Sequence, residues 1–308
     1  MTTASVTVAA PATSANLGPG YDSLGLALDL RDIVEATVDF GPDESSALDV
    51  RVEIDGEGAD RLPVDESHLI VASMRETFID LGITTSAIRL RCHNLIPHGR
   101  GLGSSSAAIV AGVLAARALA GAPDDPAAAV AIAARIEGHP DNVAPCVLGG
   151  LSIAWISGPD VPAEATQVDV HPSVRAVLAI PSEAMLTDTA RGLLPDRVPH
   201  ADAAFNVARS ALLVEALTRT PSLLMTATED RLHQQYRASV MPETAALIAT
   251  LRSAGLAAVV SGAGPSVLVL ATGDVRERVA AVATGWDVRS LPIDPSGAVV
   301  TAPGVSSG

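Results

Sequence analysis

Residues 97–112 read PHGRGLGSSSAAIVAG. Gly99, Gly101 and Gly103 alternate ahead of three serines, and an alanine-rich apolar run follows, so the stretch predicts a loop opening a helix over about 105–120. A helix start leaves backbone amides unpaired, and with the positive end of the helix dipole these form a site for anions. Glycines let such a backbone approach an anion closely, and the serines are well placed to cap the helix. A phosphate loop of the usual kind carries Lys after its last glycine, and here that place is taken by Ser104. The whole chain contains no Lys, so all 20 basic side chains are Arg. A lysine-dependent phosphate loop and Schiff-base chemistry are therefore both excluded. Taken in isolation, the short pattern fits a plain Gly/Ser turn equally well; the longer string favours phosphate.

The 308 residues are 48% apolar and only 2% aromatic, enough for a substantial core built from Val, Leu, Ile and Ala. A net charge of -15 argues against nucleic acid or an anionic membrane as partner. Any polyphosphate must be held locally, by backbone amides, a metal and a few arginines. The two cysteines make no disulfide framework, the N-terminus lacks a charged-then-apolar signal pattern, and no apolar run is long enough to span a bilayer. The expectation is a cytoplasmic protein with no membrane partner.

Around the loop the chain reads as mixed strands and helices. SVTVAAPATSANLGPGYDSLGLALDL predicts strand, turn, strand; IVEATVDF and ALDVRVEI predict a further antiparallel pair. DESHLIVASMRETFIDLG predicts a helix capped near Asp65 or Ser67 and ended by Gly82, and AIRLRCH puts Ile88, Leu90 and Cys92 on one face. A second helix is predicted from Pro126 to Glu137, stopped by Gly138, and a strand in GGLSIAWI. The polar, proline-rich SGPDVPAEATQVDVHPSV is the boundary, dividing the chain into 1–160 and 170–308. Beyond it come the strand RAVLAI, several helices between residues 200 and 254, a glycine hairpin in LAAVVSGAGPSVLVLA, a helix near 275–284 and the strand DVRSLPI. The fold class is α+β, with the second sheet covered on one side.

PHGRGLGSSSAA resembles the phosphate motif of the GHMP kinase superfamily, and SGAGPSVLVL resembles its C-terminal glycine motif. PATSANLGPGYDSLGLAL and EGHPDNVAPCVLGG narrow the resemblance to the homoserine kinase family, and together these motifs span the chain. The resemblance implies a two-domain GHMP kinase fold, with a ribosomal S5 domain 2-like N-terminal half that binds ATP and a ferredoxin-like C-terminal half. It implies ATP with Mg²⁺ as cofactors and phosphorylation of L-homoserine as the activity, with a homodimer left open. Another small-alcohol kinase of the superfamily, or a non-catalytic nucleotide-binding relative, remain the alternatives.

Carried over residue by residue, the resemblance puts Pro97, His98, Gly99, Arg100, Gly101 and Leu102 on ATP, together with Gly103, Ser104, Ser105, Ser106 and Ala107. His68, with Leu69 and Ile70, is expected at adenine, although family members often have Asn at this position. Ser105 and Glu137 are the metal contacts; in some homoserine kinases the metal Glu lies eight residues before the His, where this chain has Ala131. A γ-hydroxy amino acid presents an ammonium, a carboxylate and a hydroxyl, which call for a carboxylate, arginines and a polar group. Asp22 matches the ammonium partner, Arg191 and Arg237 the carboxylate partners, with Thr187 one turn before Arg191, and Asn16 the hydroxyl partner. His139, Asp141 and Asn142 line the amino-acid pocket, Asn142 standing where mevalonate-type relatives place a catalytic Asp, and Gly262 joins the site. On local grounds Asn16 and Asp22 fit Asx turns around Gly18 and Gly20, and Asp141 and Asn142 fit a cap. Arg100 fits two readings equally well, a cation near the phosphates in place of the missing lysine or a solvated side chain.

Overall fold

The computed structural model describes residues 2–41, 48–185 and 192–301. Strands β1 (Thr2–Ala15) and β2 (Leu24–Phe40) run antiparallel from Thr2↔Phe40 to Ala15↔Gly25, shifting register between Pro11 and Ala12. Proline cannot donate to the ladder, so a bulge beside Pro11 is where the pairing is expected to slip. On the other side of β2 lies β4 (Thr85–Asn94), antiparallel, with Ile88, Leu90 and Cys92 buried as their alternation requires.

The expected antiparallel pairing of IVEATVDF with ALDVRVEI does not form. Strand β3 (Asp49–Gly56) pairs instead with β4, in parallel, and α1 (Leu69–Asp80) is the crossover that a parallel pair needs. Every second residue of β3 is exposed, including Arg51, Glu53 and Asp55, and such a strand suits a sheet edge better than its centre. The cap of α1 also differs from expectation. His68 accepts the Ile70 amide on Nδ1 at 3.3 Å, while Asp65 is occupied by the amide and hydroxyl of Ser67. Helix α2 (Ser104–Leu119) follows the glycine loop, and α3 (Pro126–Glu137) has its expected limits: Asp125 accepts the Ala128 amide, Pro126 opens it, and Gly138 ends it at φ 90°. Then come α4 (Val143–Leu148), β5 (Leu151–Trp155) on β2, and β6 (Glu164–Val168) on β5.

The second sheet comprises β7 (Val174–Ile180), β8 (Ala257–Val260), β9 (Val267–Thr272) and β10 (Asp287–Leu291) in the order β10-β7-β9-β8, all antiparallel. That 4-1-3-2 order is ferredoxin-like, as expected. Between β7 and β8 run α5 (His200–Thr218), α6 (Leu224–Ala227), α7 (Gln234–Arg237) and α8 (Pro242–Ser253); α9 (Arg276–Val282) precedes β10. Both faces of this sheet are covered, not one. Val177, Val267 and Val269 pack with Leu247, Leu251 and Val279, whereas Leu178, Leu268 and Leu270 share a continuous core with Leu213, Leu217 and the N-terminal sheet. This double burial explains why residues 176–180 of β7 and 267–271 of β9 are unbroken apolar runs.

Two strands cross the division at 160/170. Strand β6 lies inside the stretch read as a boundary, and β11 (Val299–Thr301), from the far end of the chain, pairs with β1 in the first sheet. The segment leading to β11 is pinned by Asp294, which is buried and pairs with Arg31 of β2. Among the described residues no helix is long and apolar enough to cross a membrane.

Candidate functional site

Three loops meet where the two sheets adjoin: 16–23 between β1 and β2, 95–103 before α2, and 261–266 between β8 and β9. The Thr13 amide donates to Leu102 O at 3.0 Å, the Gly262 amide to Ala15 O at 3.1 Å, and the Ser261 hydroxyl to Gly101 O at 2.7 Å. A β-carbon on Gly101 would lie 2.1 Å from Ser261 O, so the loops close on one another only because that residue is glycine. Together with Glu137, His139, Asp141, Asn142, Met185 and Arg237 they line a cavity of about 220 Å³.

The expected serine caps are not caps. Gly103 holds the N-cap position at φ 71°, and Ser104, Ser105 and Ser106 form the first turn of α2, where their amides lie outside the intrahelical ladder. The first bond within the helix is from the Ala107 amide to Gly103 O. The serine side chains are used elsewhere: Ser105 and Ser106 both donate to Glu137 Oε1, at 2.6 and 2.9 Å. The end of α3 is thereby tied to the start of α2. Gly99, Gly101, Leu102, Gly103 and the three serines line the cavity; Ala107 is buried beneath them.

Four of the expected nucleotide residues lie apart from that cavity. Arg100 donates to the carbonyls of His98, Pro181 and Ser182, so its guanidinium is committed to backbone and does not stand in for the missing lysine. His98 is packed near Gly58, and burial holds its pKa below the usual histidine value. His68 shares that depression, again chiefly through burial, and Pro97 leads into the loop ahead of it. Asp32, which the sequence reading passed over, fixes this entry: its Oδ1 accepts the amides of Leu95 and Ile96 at 2.7 and 2.9 Å. Burial outweighs those two bonds and raises the Asp32 pKa to about 6.

On the amino-acid side, Asn16 accepts the Asp22 amide on Oδ1 at 3.0 Å and donates from Nδ2 to Gly262 O at 2.9 Å. Asn16, Leu17 and Asp22 all have left-handed backbone, at φ 67°, 50° and 54°, a conformation unusual for leucine and concentrated at functional sites. Asp141 is buried and meets His139 Nδ1 at 2.7 Å, and His139 Nε2 lies 4.0 Å from Glu137 Oε1. Asn142 precedes α4 but makes no side-chain cap; its Oδ1 accepts the Thr13 hydroxyl at 2.8 Å. Arg237 is 2% exposed, donates to Gly262 O at 3.2 Å and reaches the cavity. Thr187 and Arg191 lie outside the described residues. His233, four residues before Arg237, was also passed over; it lies just ahead of α7, where Asp230 accepts the amides of Leu232, His233 and Gln234. Among the described residues no group of three His, Cys, Asp or Glu is placed to hold a metal ion.

Comparison with known proteins agrees with this geometry. Residues 68–150 match the family described as GHMP kinases N terminal domain, and residues 211–286 match GHMP kinases C terminal. The homoserine kinase of Streptomyces coelicolor is 51% identical over 302 residues, covering 96% of this chain and 94% of the relative. That of Leifsonia xyli is 49% identical over 305 residues, covering 96% and 92%. Among solved structures, a homoserine kinase from Cytophaga hutchinsonii superposes with a TM-score of 0.83 at 27% identity, covering 96% of this chain and 97% of that one. A mevalonate diphosphate decarboxylase from Staphylococcus aureus, 14% identical, shares the fold with a TM-score of 0.68 over 97% and 98% of the two chains. Full-length identity near one half, two family models in order and the shared two-sheet architecture place the chain in the homoserine kinase family of the GHMP kinases.

Proposed function

We propose that this protein transfers the γ-phosphoryl group of ATP to the side-chain hydroxyl of L-homoserine, giving O-phospho-L-homoserine for threonine biosynthesis. The observation that carries the reading is one cavity where a lysine-free helix start, with Gly99 and residues 101–106 along it, faces a buried arginine. The amides of the first turn of α2 receive the phosphates. Arg237 and Arg191 serve the substrate carboxylate and Thr187 also serves the substrate, the roles of Thr187 and Arg191 resting on the sequence motif; Asp22 takes the ammonium; Asn16 orients the hydroxyl. His139 and Asp141 form the wall of the amino-acid pocket.

Glu137 and Ser105 offer hard oxygen atoms beside the phosphate amides, a donor set that fits Mg²⁺, and the bound ion would neutralise charge on the phosphate oxygens. Asn142 cannot act as a base, so no side chain is assigned to remove the hydroxyl proton; it leaves to a phosphate oxygen or water as the new O–P bond forms and the β–γ bridge breaks. Such a loose transition state is reached by positioning and charge stabilisation. The test is ATP consumption against homoserine, serine, threonine, mevalonate and galactose. Homoserine alone should respond; turnover of another alcohol favours a different GHMP kinase, and none at all favours a non-catalytic relative.

A further inference from the structure

His233 touches neither the phosphate loop nor the cavity, yet it is fully buried between two segments that form the site. Its Nε2 lies 2.7 Å from Gly18 O, an atom that only accepts, so Nε2 carries the proton. Its Nδ1 lies 3.1 Å from Arg237 Nη1, an atom that only donates, so Nδ1 presents a lone pair. Only the neutral Nε2–H tautomer satisfies both partners. The ring also packs against Tyr21, with centroids 5.4 Å apart. Through one imidazole the turn carrying Asn16 and Asp22 is linked to Arg237, and Arg237 continues the chain to Gly262 O.

We propose that His233 is a positioning residue for amino-acid recognition, aiming the Arg237 guanidinium into the cavity and holding Gly18 in place without touching substrate. This rests on the reading of the cavity as a homoserine site. The charged groups around the ring are Asp230, whose Oδ2 is 3.6 Å from Nε2, Arg237 and, farther off, Asp22. Burial is the largest influence and holds the His233 pKa below its usual value; Arg237 acts with it, Asp230 and Asp22 against it. Protonation would turn an N–H toward the N–H of Arg237 and break the link.

The test compares His233→Gln with His233→Leu. A glutamine amide can donate to Gly18 O and accept from Arg237; leucine can do neither. His233→Leu should raise the homoserine KM by about tenfold or more while the ATP KM stays within about twofold, and His233→Gln should recover most of that loss. In the wild type the homoserine KM should climb as pH falls below the ordinary histidine range near 6.5, and in His233→Gln that acid climb should vanish. If the leucine variant does not fold, the pH profile of the glutamine variant decides. Equal losses in both variants, loss of ATP affinity in parallel, or an unchanged acid climb in His233→Gln overturns the proposal. A wild type inert toward homoserine refutes the site reading as well, whereas an active wild type with those results refutes the His233 role alone.

Discussion

Replacing Gly103 by alanine tests how the loop is built. Any β-carbon at this position lies 2.0 Å from Thr13 Oγ1 and 3.2 Å from Asn142 Oδ1, two atoms hydrogen bonded to each other at 2.8 Å. The left-handed φ of 71° costs a non-glycine residue about 1–2 kcal/mol. Forcing the extra carbon against Thr13 costs about 1–3 kcal/mol more. Gly103→Ala should therefore lose about 2–5 kcal/mol of unfolding free energy, within what a domain of this kind survives. Thr13→Ala alone should lose about 1 kcal/mol, the worth of its hydrogen bond, yet it also removes the oxygen with which the new carbon collides. The double variant should then be less destabilised than the sum of the singles by about 1–3 kcal/mol. Urea unfolding followed by circular dichroism gives the four free energies, and binding of a non-hydrolysable ATP analogue reports on the loop. Additive losses to within about 0.5 kcal/mol would refute the argument that Thr13 and Gly103 compete for one space.

Arg237→Leu should raise the homoserine KM by about one to two orders of magnitude with little change for ATP, and should cost a homoserine ester far less than the free acid; equal losses for ester and acid would assign Arg237 to folding. Glu137→Gln should raise the Mg²⁺ concentration needed to bind the ATP analogue while homoserine binding is kept, as read by calorimetry, and an unchanged Mg²⁺ dependence would move the metal elsewhere. Asp32→Asn keeps an acceptor for Leu95 and Ile96. The folded pKa of Asp32, about 6, lies above the ordinary 3.8, so the native state holds the proton more tightly and ionisation costs stability as pH rises from 4 to 6. The asparagine variant should accordingly be more stable than the wild type at pH 8, by about 1–3 kcal/mol, and lose that advantage at pH 4; lower stability at pH 8 in urea melts would contradict this.

The features legible in the sequence were those whose chemistry is local. Asp125, Pro126 and Gly138 bound α3 because a cap, a first-turn proline and a left-handed stop act within a few residues. The glycine loop was legible for the same reason. What escaped depends on partners distant in the chain. Nothing in ALDVRVEI says that its neighbour is β4 in parallel, and nothing near Val299 says that it pairs with β1. Three adjacent serines read as caps until Glu137, 32 residues from Ser105, is found to take two of their hydroxyls. Arg100 has the right charge and place in sequence to serve phosphate, but the carbonyls of Pro181 and Ser182 claim it. His233 was hidden because its acceptor, Gly18 O, lies 215 residues away.

The most direct measurement is a structure of the complex with L-homoserine, Mg²⁺ and a non-hydrolysable ATP analogue. The account predicts the terminal phosphate against the amides of Ser104, Ser105 and Ser106, the homoserine carboxylate on Arg237, and the hydroxyl beside Asn16, facing that phosphate. Homoserine bound with its carboxylate toward the phosphate loop, or away from Arg237 altogether, would contradict it.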